Sequence, residues 1–362
     1  MRDIPGPKGR RKTLSDVAAR AGVSPVTVSR ALRRPEMVSA DLRRRVETAV
    51  HELAYVPNQL ASALASARTG TIGVLVSSLT NGVFADYLRA LHDALLPAGF
   101  QLLLLNSRYL PEEEERAIAT LLSQHSEAII VAGVDQTESS RRLLKRAGVP
   151  VVQTMELSDS PIDVNVGFSQ LEAGMAATRH LLALGSRRIG HIAARLDARS
   201  RRRMEGYGRA MAAAGLDGRG MLATTTRPSS VRLGAELFSD LLARVPDLDA
   251  VFCCNDDLAL GMLFECHRRG IRVPEDISII GFNDLEFCAS TFPSLTSVAT
   301  PRHEMGRRAA EIVLEIIRGS GDRPRDRRID LGFIISQRQS TPPLRVGISA
   351  EAPEFASPRR SS

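Results

Sequence analysis

The segment from Thr13 to Arg30 places small, hydroxyl-bearing and basic side chains at the start of a predicted helix. Hydroxyl and guanidinium groups can donate hydrogen bonds to phosphate oxygens and base edges, whereas small apolar side chains can contact only methyl groups and other apolar atoms. In TLSDVAARAGVSPVTVSR, apolar residues at helical spacing precede Gly22, and Ser24 with Pro25 has the form of an N-cap followed by proline at the first helical position. The spacing predicts a helix, a tight turn and a second helix.

A helix-turn-helix places the N-terminal end of its second helix in the major groove of DNA. The candidate contacts are therefore Pro25, Val26, Thr27, Ser29 and Arg30. An ordinary helical hairpin is the alternative interpretation. The charge distribution favours DNA, because residues 1–68 hold thirteen Lys or Arg against six Asp or Glu and thereby account for the whole net charge of +7.

The segments around this motif complete a small all-α headpiece, residues 13–56. Ser39 is a candidate N-cap for a third helix, whose packing stripe consists of Leu42, Val46, Ala49, Val50 and Leu53. Residues 57–70 are predicted to form a hinge helix and linker. So short a helix is only marginally stable by itself in water, and it is expected to fold when DNA and a partner's copy support it. Residues 1–12 are predicted to be a disordered basic arm that either touches phosphates or is simply solvated.

From Thr71 onward, short apolar runs alternate with amphipathic stretches. The runs are IGVLV, QLLLLN, AIIVAG, PVVQTM, RIGHIA, AVFCCN and ISIIGF, and residues 85–96, 171–184 and 257–269 are predicted crossover helices. Runs of this kind are typical of parallel strands buried on both faces. Because residues 72–89 and 189–209 share one strand, loop and helix layout, the sequence predicts an α/β domain of two lobes with parallel sheets, residues 71–340.

Polar residues follow these apolar runs where the predicted strands end. Ligands of open α/β sheets bind beyond the carboxyl ends of the strands, so these side chains are expected to line one cleft between the lobes. They are Ser77, Ser78, Asn81, residues 106–108, Glu156, Arg195, Asn255, Asp256, Asn283 and Asp284.

Catalytic and metal-binding interpretations find little support. The four cysteines, at 253, 254, 266 and 288, lack the spacing and the histidine partners of a zinc site and are expected to be buried free thiols. Asp256 and Asp257 suit helix capping better than acid–base catalysis, and His191 is expected to be a core histidine. No phosphate-binding loop occurs, and Gly319-Ser320-Gly321 follows a helix rather than a strand. The prediction is a protein without catalytic residues, metal or cofactor.

Neither an export signal nor a long apolar span is recognisable in the sequence. The expected location is therefore the cytoplasm, in association with the nucleoid. A solute-binding protein without a regulatory role would share the two lobes, but it would need an export signal and would have no headpiece.

Six motifs occur in a fixed order between Thr13 and about Ser340: DVAARAGVSPVTVSRAL, YVPNQLASAL, IGVLVSSLTNGVFA, VFCCNDDLALG, VPEDISIIGFND and PSLTSVATPRHEMG. In order and spacing they resemble the LacI family of transcription regulators. The segments VSSLTNGVFA, DVNVGF, HIAARLDARS and CNDDLALGMLFEC are similar to those of gluconate-utilisation repressors. The resemblance implies a headpiece and hinge helix joined to a two-lobed domain like a periplasmic binding protein, with operator affinity controlled by a small effector.

The resemblance implies DNA contacts for six residues, with bases contacted by Pro25, Val26 and Arg30 and phosphates by Thr27, Ser29 and Asn58. Pro25 and Val26 lack hydrogen-bonding side chains and can discriminate only through apolar contact, for example with thymine methyl groups. Leu64 matches the hinge leucine that family members insert into the minor groove at the operator centre. Packing within a linker helix is the alternative role for Leu64.

For the effector, the resemblance implies Ser77, Phe84, Arg203, Asn255, Asn283 and Thr300. Arg203 begins an R-x-x-G pattern at which the family usually has an arginine that bridges ligand oxygens. Asn283 stands where the family usually has aspartate, which makes the pocket less hostile to an anion. Arg108, Arg195 and Arg199 either lie near the mouth or, as the simpler expectation, are solvated surface residues.

The predicted effector is a small sugar acid, gluconate or a related aldonate. The chain has no Trp that could stack on a sugar ring, and the gluconate likeness points the same way. A neutral sugar is the alternative, and the response is expected to be induction, with co-repression left open.

The family resemblance implies a homodimer and therefore a pseudo-palindromic operator in double-stranded DNA. The tail, residues 341–362, is rich in Pro, Ser and Arg and has no heptad pattern. It is predicted to be disordered, and no tetramer is expected.

Overall fold

The computed structural model describes residues 12–33, 35–56, 69–319 and 322–343. The chain divides after Thr69 into two compact units. Residues 1–11 of the predicted arm, residues 57–68 of the predicted hinge and residues 344–362 of the predicted tail lie outside the described ranges.

Over its described residues, the first unit contains three α-helices and one short 3₁₀ turn, Pro35–Met37. The helices are α1 (Leu14–Ala21), α2 (Pro25–Arg33) and α3 (Ala40–Glu52). A capping box begins α1, since the Thr13 backbone N–H donates to Asp16 Oδ2 at 2.7 Å and the Asp16 N–H donates back to Thr13 Oγ1 at 3.3 Å. Gly22 ends α1 in the left-handed region, at φ 66°, which a residue with a Cβ adopts only with strain. The predicted helix-turn-helix is confirmed.

The two caps predicted from the sequence, at Ser24 and Ser39, are also present. The Thr27 N–H donates to Ser24 Oγ at 3.2 Å, and the Leu42 N–H donates to Ser39 Oγ at 3.3 Å. The three helices enclose a small core of Val17, Ala18, Ala21, Val28, Ala31, Val46, Ala49 and Tyr55. Because Val28 is fully buried in this core, α2 packs against the other helices through one face and exposes its opposite face to solvent.

The second unit is called here the effector unit. Its described residues form two lobes built on two six-stranded sheets. The first lobe has the strand order β11-β5-β4-β3-β1-β2. Its strands are β1 (Thr71–Val76), β2 (Gln101–Asn106), β3 (Ala128–Ala132), β4 (Val151–Thr154), β5 (Val164–Gly167) and β11 (Arg328–Asp330). Its helices are α4 (Val83–Leu95), α5 (Pro111–Ser123), α6 (Glu138–Lys145) and α11 (Arg302–Arg318).

The second lobe repeats the layout in the order β12-β10-β9-β8-β6-β7. Its strands are β6 (Ile189–Ala194), β7 (Leu222–Thr225), β8 (Ala250–Cys253), β9 (Ser278–Asn283), β10 (Thr296–Ala299) and β12 (Ile334–Ser336). Its helices are α7 (Gln170–Ala183), α8 (Ala198–Ala213), α9 (Val231–Arg244) and α10 (Asp256–Arg269). The two-lobed α/β prediction is confirmed.

All seven apolar runs form strands, and the three predicted crossover helices begin and end within two residues of α4, α7 and α10. The short strands β5, β7, β10, β11 and β12 were not predicted from the sequence. These carry polar residues such as Asn165, which is fully buried and donates its side-chain amide to Gln153 O and Glu156 O. The sheets are parallel except for β12, which pairs antiparallel with β10.

The chain crosses between the lobes three times, from β5 to α7, from β10 to α11 and from β11 to β12. After the last crossing, Ser340 and Thr341 are both buried, and Thr341 Oγ1 lies 2.9 Å from Thr296 Oγ1. Buried packing in the effector unit therefore includes Thr341.

Candidate functional site

The N-terminal end of α2 is the candidate DNA-contacting surface. Pro25, Val26 and Arg30 are exposed, and Val26 leaves 68% of its surface to solvent although it is apolar. Thr27 and Ser29 are half-buried. The hydroxyl groups of Thr27 and Ser24 lie 2.8 Å apart, so the cap orders the helix tip at which Val26 projects. An exposed apolar residue at a helix tip suits contact with another apolar group.

Arg30 lies one turn further along the same helix and has no carboxylate partner within the described ranges. A guanidinium has five N–H donors that suit a base edge or a phosphate. Asn58 and Leu64, the remaining DNA-contact predictions, lie outside the described residues.

Between the lobes, two adjoining cavities lie where the strands of both sheets end. The inner cavity, of about 40 Å³, is lined by Asn81, Val83, Phe84, Tyr109, Ala194, Arg195, Asp197, Arg199, Ser200, Arg203, Ser229, Asn255 and Asn283. The outer cavity, of about 260 Å³, shares Tyr109, Arg195, Asp197 and Arg199 with it and includes Ser77, Glu114 and Asp135. The structure therefore places Phe84, Arg203, Asn255 and Asn283 together, with Ser77 in the neighbouring cavity.

Thr300 lines neither cavity. Its hydroxyl donates to the Asn283 carbonyl at 3.4 Å and accepts from Arg302 Nη1 at 3.3 Å. In this conformation Thr300 thus supports the Asn283 backbone instead of facing the cleft.

Arg203 is buried on α8 and already holds two protein groups. Its Nε donates to Gln170 Oε1 at 2.6 Å and its Nη1 donates to the Cys254 carbonyl at 2.6 Å. The Cζ atom lies 3.8 Å from the centre of the Phe282 ring. Since a guanidinium has five N–H donors, three remain after these two bonds. Burial lowers the pKa of Arg203, but a guanidinium stays charged at physiological pH.

Two further arginines, Arg195 and Arg199, line the cleft. The simpler expectation, that they are solvated surface residues, is wrong. The Arg195 guanidinium lies 4.2 Å from the Tyr109 ring centre, and that of Arg199 lies 5.8 Å from the Phe84 ring centre. The Arg199 side chain is only 13% exposed. Arg108, the third candidate, lines neither cavity, and its backbone N–H donates to Asn106 Oδ1.

Asp197 was not predicted from the sequence. Among the residues that the structure describes, it is the one carboxylate that lines the inner cavity. Its Oδ1 accepts from the backbone N–H groups of Arg199 at 3.0 Å and Ser200 at 3.1 Å, which makes it the N-cap of α8. Burial alone would raise the pKa of Asp197, but Arg199 and these N–H groups outweigh burial and lower it. An Asp before a helix is a recognisable cap signal, so Asp197 could have been identified from the sequence.

Asn255 and Asn283 contribute amide groups to the inner cavity. Asn255 caps α10, because its Oδ1 accepts from the Leu258 N–H at 3.3 Å, and it also accepts from Ser229 Oγ at 2.9 Å. These bonds engage the oxygen of the amide and leave its NH₂ group to other partners. Asn283 ends β9 with φ at 113°, in a region that non-glycine residues rarely adopt.

Left-handed pairs of residues recur at the strand ends around the cleft. They are Arg108 with Tyr109, Arg195 with Leu196, and Asn283 with Asp284. Backbone strain of this kind costs free energy and clusters at ligand sites when surrounding contacts hold it in place. At Asp284 those contacts are visible, since its carboxylate accepts from Arg338 Nη1 at 2.7 Å and from Ser336 Oγ at 2.8 Å.

His191 and Asp256 have structural roles. His191 lies between the rings of Tyr207 and Phe252 and donates from Nδ1 to the Phe252 carbonyl at 2.9 Å. Burial lowers the pKa of His191 to about 3, which keeps it neutral. Asp256 is fully buried and accepts from Ser297 Oγ at 2.6 Å and from the Leu285 N–H at 2.8 Å.

All four cysteines are buried free thiols. Across the described ranges, no group of three or more His, Cys, Asp or Glu could hold a metal ion. Over the same ranges, none of the helices is long and apolar enough to span a bilayer.

Comparison with known proteins identifies both units. Residues 13–58 match the family described as bacterial regulatory proteins, lacI family, and residues 178–341 match the periplasmic binding protein-like domain. The chain is 48% identical to the HTH-type transcriptional regulator GntR of Pseudomonas aeruginosa over 91% of this chain and 96% of that protein. It is 40% identical to the regulator of the same name from Escherichia coli, over 91% and 98% of the two chains.

Solved structures agree with this assignment. The transcription regulator GntR from Chromobacterium violaceum is 42% identical, with a TM-score of 0.72 over 75% of this chain and 99% of that one. The lac repressor dimer bound to operator and the anti-inducer ONPF is 26% identical, with a TM-score of 0.78 over 92% and 99% of the two chains. These relatives are transcription regulators and not enzymes, and the chain belongs to the LacI family of DNA-binding transcription regulators.

Proposed function

We propose that this protein is a dimeric repressor that binds a pseudo-palindromic operator and releases it when a small sugar acid occupies the cleft between the lobes. The expected ligand is gluconate or a related aldonate. The observation that carries this proposal is the charge of the inner cavity, which is lined by three arginines and one aspartate.

The single carboxylate does little to repel an anion. Asp197 Oδ1 is already engaged by two backbone N–H groups, and Arg199 Nε lies 3.9 Å from it. Arg203 keeps three free donors, and a guanidinium matches a carboxylate by offering paired donors in one plane. We therefore assign the acid group of the ligand to Arg203, with Arg199 adding positive charge at the mouth.

The rest of the inner cavity suits a polyhydroxylated chain. Asn81, Asn255 and Asn283 supply amide groups, and Ser200 and Ser229 supply hydroxyls, which can pair with alcohol groups as donors or acceptors. The aromatic rings nearby, those of Phe84 and Tyr109, already contact arginine guanidinium groups. An open-chain acid needs no ring stacking, which favours it over a neutral pyranose.

The small inner cavity also indicates how binding would act on DNA. About 40 Å³ holds only a few waters, so a six-carbon ligand that lies wholly within the inner cavity requires a change in the relative position of the lobes or their side chains. A ligand that prefers one arrangement of the lobes shifts the population towards it by its difference in affinity. We propose that this arrangement separates the hinge segments of the dimer and lowers operator affinity.

For DNA recognition, we propose that Pro25 and Val26 make apolar contacts with bases and that Arg30 reads a base edge. Thr27, Ser29 and Asn58 would contact phosphates. Leu64 would enter the minor groove at a central CpG step and kink the duplex.

A calorimetric titration of the full-length protein with gluconate and with glucose tests the effector assignment. Wild-type protein should bind gluconate and discriminate strongly against glucose. Arg203→Ala should lose most gluconate affinity, whereas Arg209→Ala, an exposed control on the same helix that pairs with Glu205, should retain it. Tight glucose binding that is insensitive to Arg203→Ala would overturn the sugar-acid proposal and favour a neutral sugar.

A further inference from the structure

We infer that Gln170 and Arg302 are a matched pair of positioning residues that hold the ligand-facing groups of the cleft and tie them to the opposite lobe. Gln170 is the first residue of α7 and Arg302 is the first residue of α11. Both helices begin just after the chain crosses between the lobes, three residues after the end of β5 and of β10, respectively. Neither residue lines the inner cavity. The inference rests on the proposed function for the identity of the ligand but not for the contacts themselves.

Arg302 holds the turn that carries Asn283. Its Nη1 donates to the Asn283 carbonyl, and its Nη2 donates to the Asp284 carbonyl at 3.1 Å and to Asp86 Oδ2 at 3.3 Å. The turn belongs to the second lobe, whereas α11 and Asp86 belong to the first. One buried guanidinium thus links both lobes and fixes the strained backbone from which the Asn283 amide extends.

Gln170 makes the corresponding link on the other crossing. Its Nε2 donates to the Met155 carbonyl in the first lobe at 2.8 Å, and its Oε1 accepts from Arg203 Nε in the second lobe at 2.6 Å. Met155, like Asn283, has a left-handed backbone, with φ at 74°. The proposed acid-binding guanidinium is therefore oriented by a side chain that also holds the opposite lobe.

Close backbone packing makes both anchors rigid. Gly174 and Gly306 each lie four residues into the crossover helix, and a Cβ at Gly174 would lie 2.4 Å from the Arg203 carbonyl oxygen. A Cβ at Gly306 would lie 2.4 Å from the Tyr87 carbonyl oxygen. Since real Cβ atoms essentially never approach this closely, α7 lies directly against α8 and α11 directly against α4. Gln170 is therefore fixed to the second lobe and Arg302 to the first. If the lobes rotate, Gln170 cannot follow Met155, and Arg302 cannot follow the turn that carries Asn283.

The arrangement couples the lobe angle to the ligand-contacting groups. Rotation of one lobe against the other must stretch or break the bonds to Met155, Asn283 and Asp284. The bonds of Arg302 position the turn that carries Asn283. The bond to Met155 holds the Gln170 amide, which in turn orients Arg203. Hydrogen-bonded elements of this kind transmit coupling free energy without touching the ligand. We expect substitutions here to weaken both gluconate binding and its effect on the operator.

The test compares Arg302→Met and Gln170→Leu with two exposed controls on the same helices, Arg307→Met and Arg179→Met, in the full-length protein. Each is titrated with gluconate by calorimetry and with a selected operator in the presence and absence of gluconate. The first pair should lower gluconate affinity roughly tenfold and reduce the gluconate effect on operator affinity by a similar factor. The controls should behave like wild type, and operator affinity without gluconate should stay within about twofold in all four variants.

A ligand-free measurement separates this inference from the proposed function. Backbone hydrogen exchange of residues 281–287 should be faster in Arg302→Met than in Arg307→Met, and that of residues 155–158 faster in Gln170→Leu than in Arg179→Met. If gluconate does not bind wild-type protein, the effector proposal fails while the exchange result still decides the positioning role. If Arg302→Met does not fold, Arg302→Lys, which keeps the charge but not the planar donor set, takes its place. Wild-type exchange and wild-type gluconate affinity in the substituted proteins would overturn the inference.

Discussion

The headpiece and the effector cleft assemble their binding surfaces in opposite ways. The described DNA-contact candidates lie within six consecutive residues of α2, and most of them are exposed. The cleft takes its lining from Asn81 to Asn283, and its Arg203 is buried and already bonded to the protein. A surface made by one helix can change partner by changing single side chains. A cleft made by six strand ends can change only together with the packing that holds them.

That contrast predicts that the effector unit depends more strongly than the headpiece on close backbone contact. A Cβ at Gly261 in α10 would lie 1.8 Å from the Val231 carbonyl oxygen in α9. Gly261→Ala should therefore destabilise the effector unit by roughly 3 kcal/mol or more through overpacking. In the headpiece, Gly22→Ala meets only a flexible Arg45 side chain, and the left-handed backbone costs about 1–2 kcal/mol.

Scanning calorimetry of the full-length protein measures these differences. For a domain of this size, about 3 kcal/mol lowers the melting temperature by on the order of 5–10 °C. Gly220→Ala is the matched control, since no atom lies within 4 Å of the added Cβ. A melting temperature for Gly261→Ala equal to that of Gly220→Ala would show that α9 and α10 can separate at little cost.

The second prediction tests whether charge governs the cleft. Asn283→Asp adds a carboxylate beside the proposed binding site of an anion. At a separation of about 5 Å in a partly buried site, the repulsion is on the order of 2–3 kcal/mol, or roughly 30- to 150-fold in gluconate affinity. Gln124→Glu makes the same charge change at an exposed position, and isothermal titration of both variants with gluconate gives the comparison. Equal affinity in the two proteins would place the acid group of the ligand away from Asn283.

The third prediction tests the exposed surface. Arg30→Ala should cost about 1–3 kcal/mol on the selected operator and relax the base preference at one position in each half-site. Arg43→Ala, an exposed arginine of α3 that pairs with Glu47, is the control for loss of positive charge alone. Competition binding against random DNA distinguishes the roles, because equal weakening on operator and random DNA would make Arg30 a phosphate contact.

The same contrast explains how far sequence reasoning could reach. Headpiece elements follow from local signals, namely the caps at Ser24 and Ser39 and the turn at Gly22. In the effector unit, the family resemblance selected four residues that line the inner cavity, but it could not show that Thr300 turns its hydroxyl to the Asn283 backbone.

Residues whose role depends on a partner far away in the sequence could not be predicted from the sequence. Gln170 and Arg302 look like ordinary first residues of helices, and their importance appears only when Met155, Asn283 and Asp86 are brought to them from other parts of the chain. Strand β5 was missed for a similar reason, because its buried Asn165 looks polar until its partners at Gln153 and Glu156 are known.

The smallest expected effect concerns pH and the wall of the outer cavity. Burial, followed by the nearby carboxylates of Asp135 and Glu115, raises the pKa of Glu114 from 4.5 to about 7. The folded state then holds a proton that the unfolded chain has released, so the stability of the effector unit should fall as pH rises from about 4.5 to about 7 and level off above that. Because the side chain is partly exposed, the loss should be on the order of 1–2 kcal/mol.

Glu114→Gln removes the titrating group and should flatten this part of the pH profile, whereas Glu113→Gln, its neighbour in the first turn of α5, should leave the slope in place. Melting temperatures measured at intervals between pH 4.5 and 8 give the slope for each protein, and parallel profiles for the two variants would show that the Glu114 proton is not held by the fold.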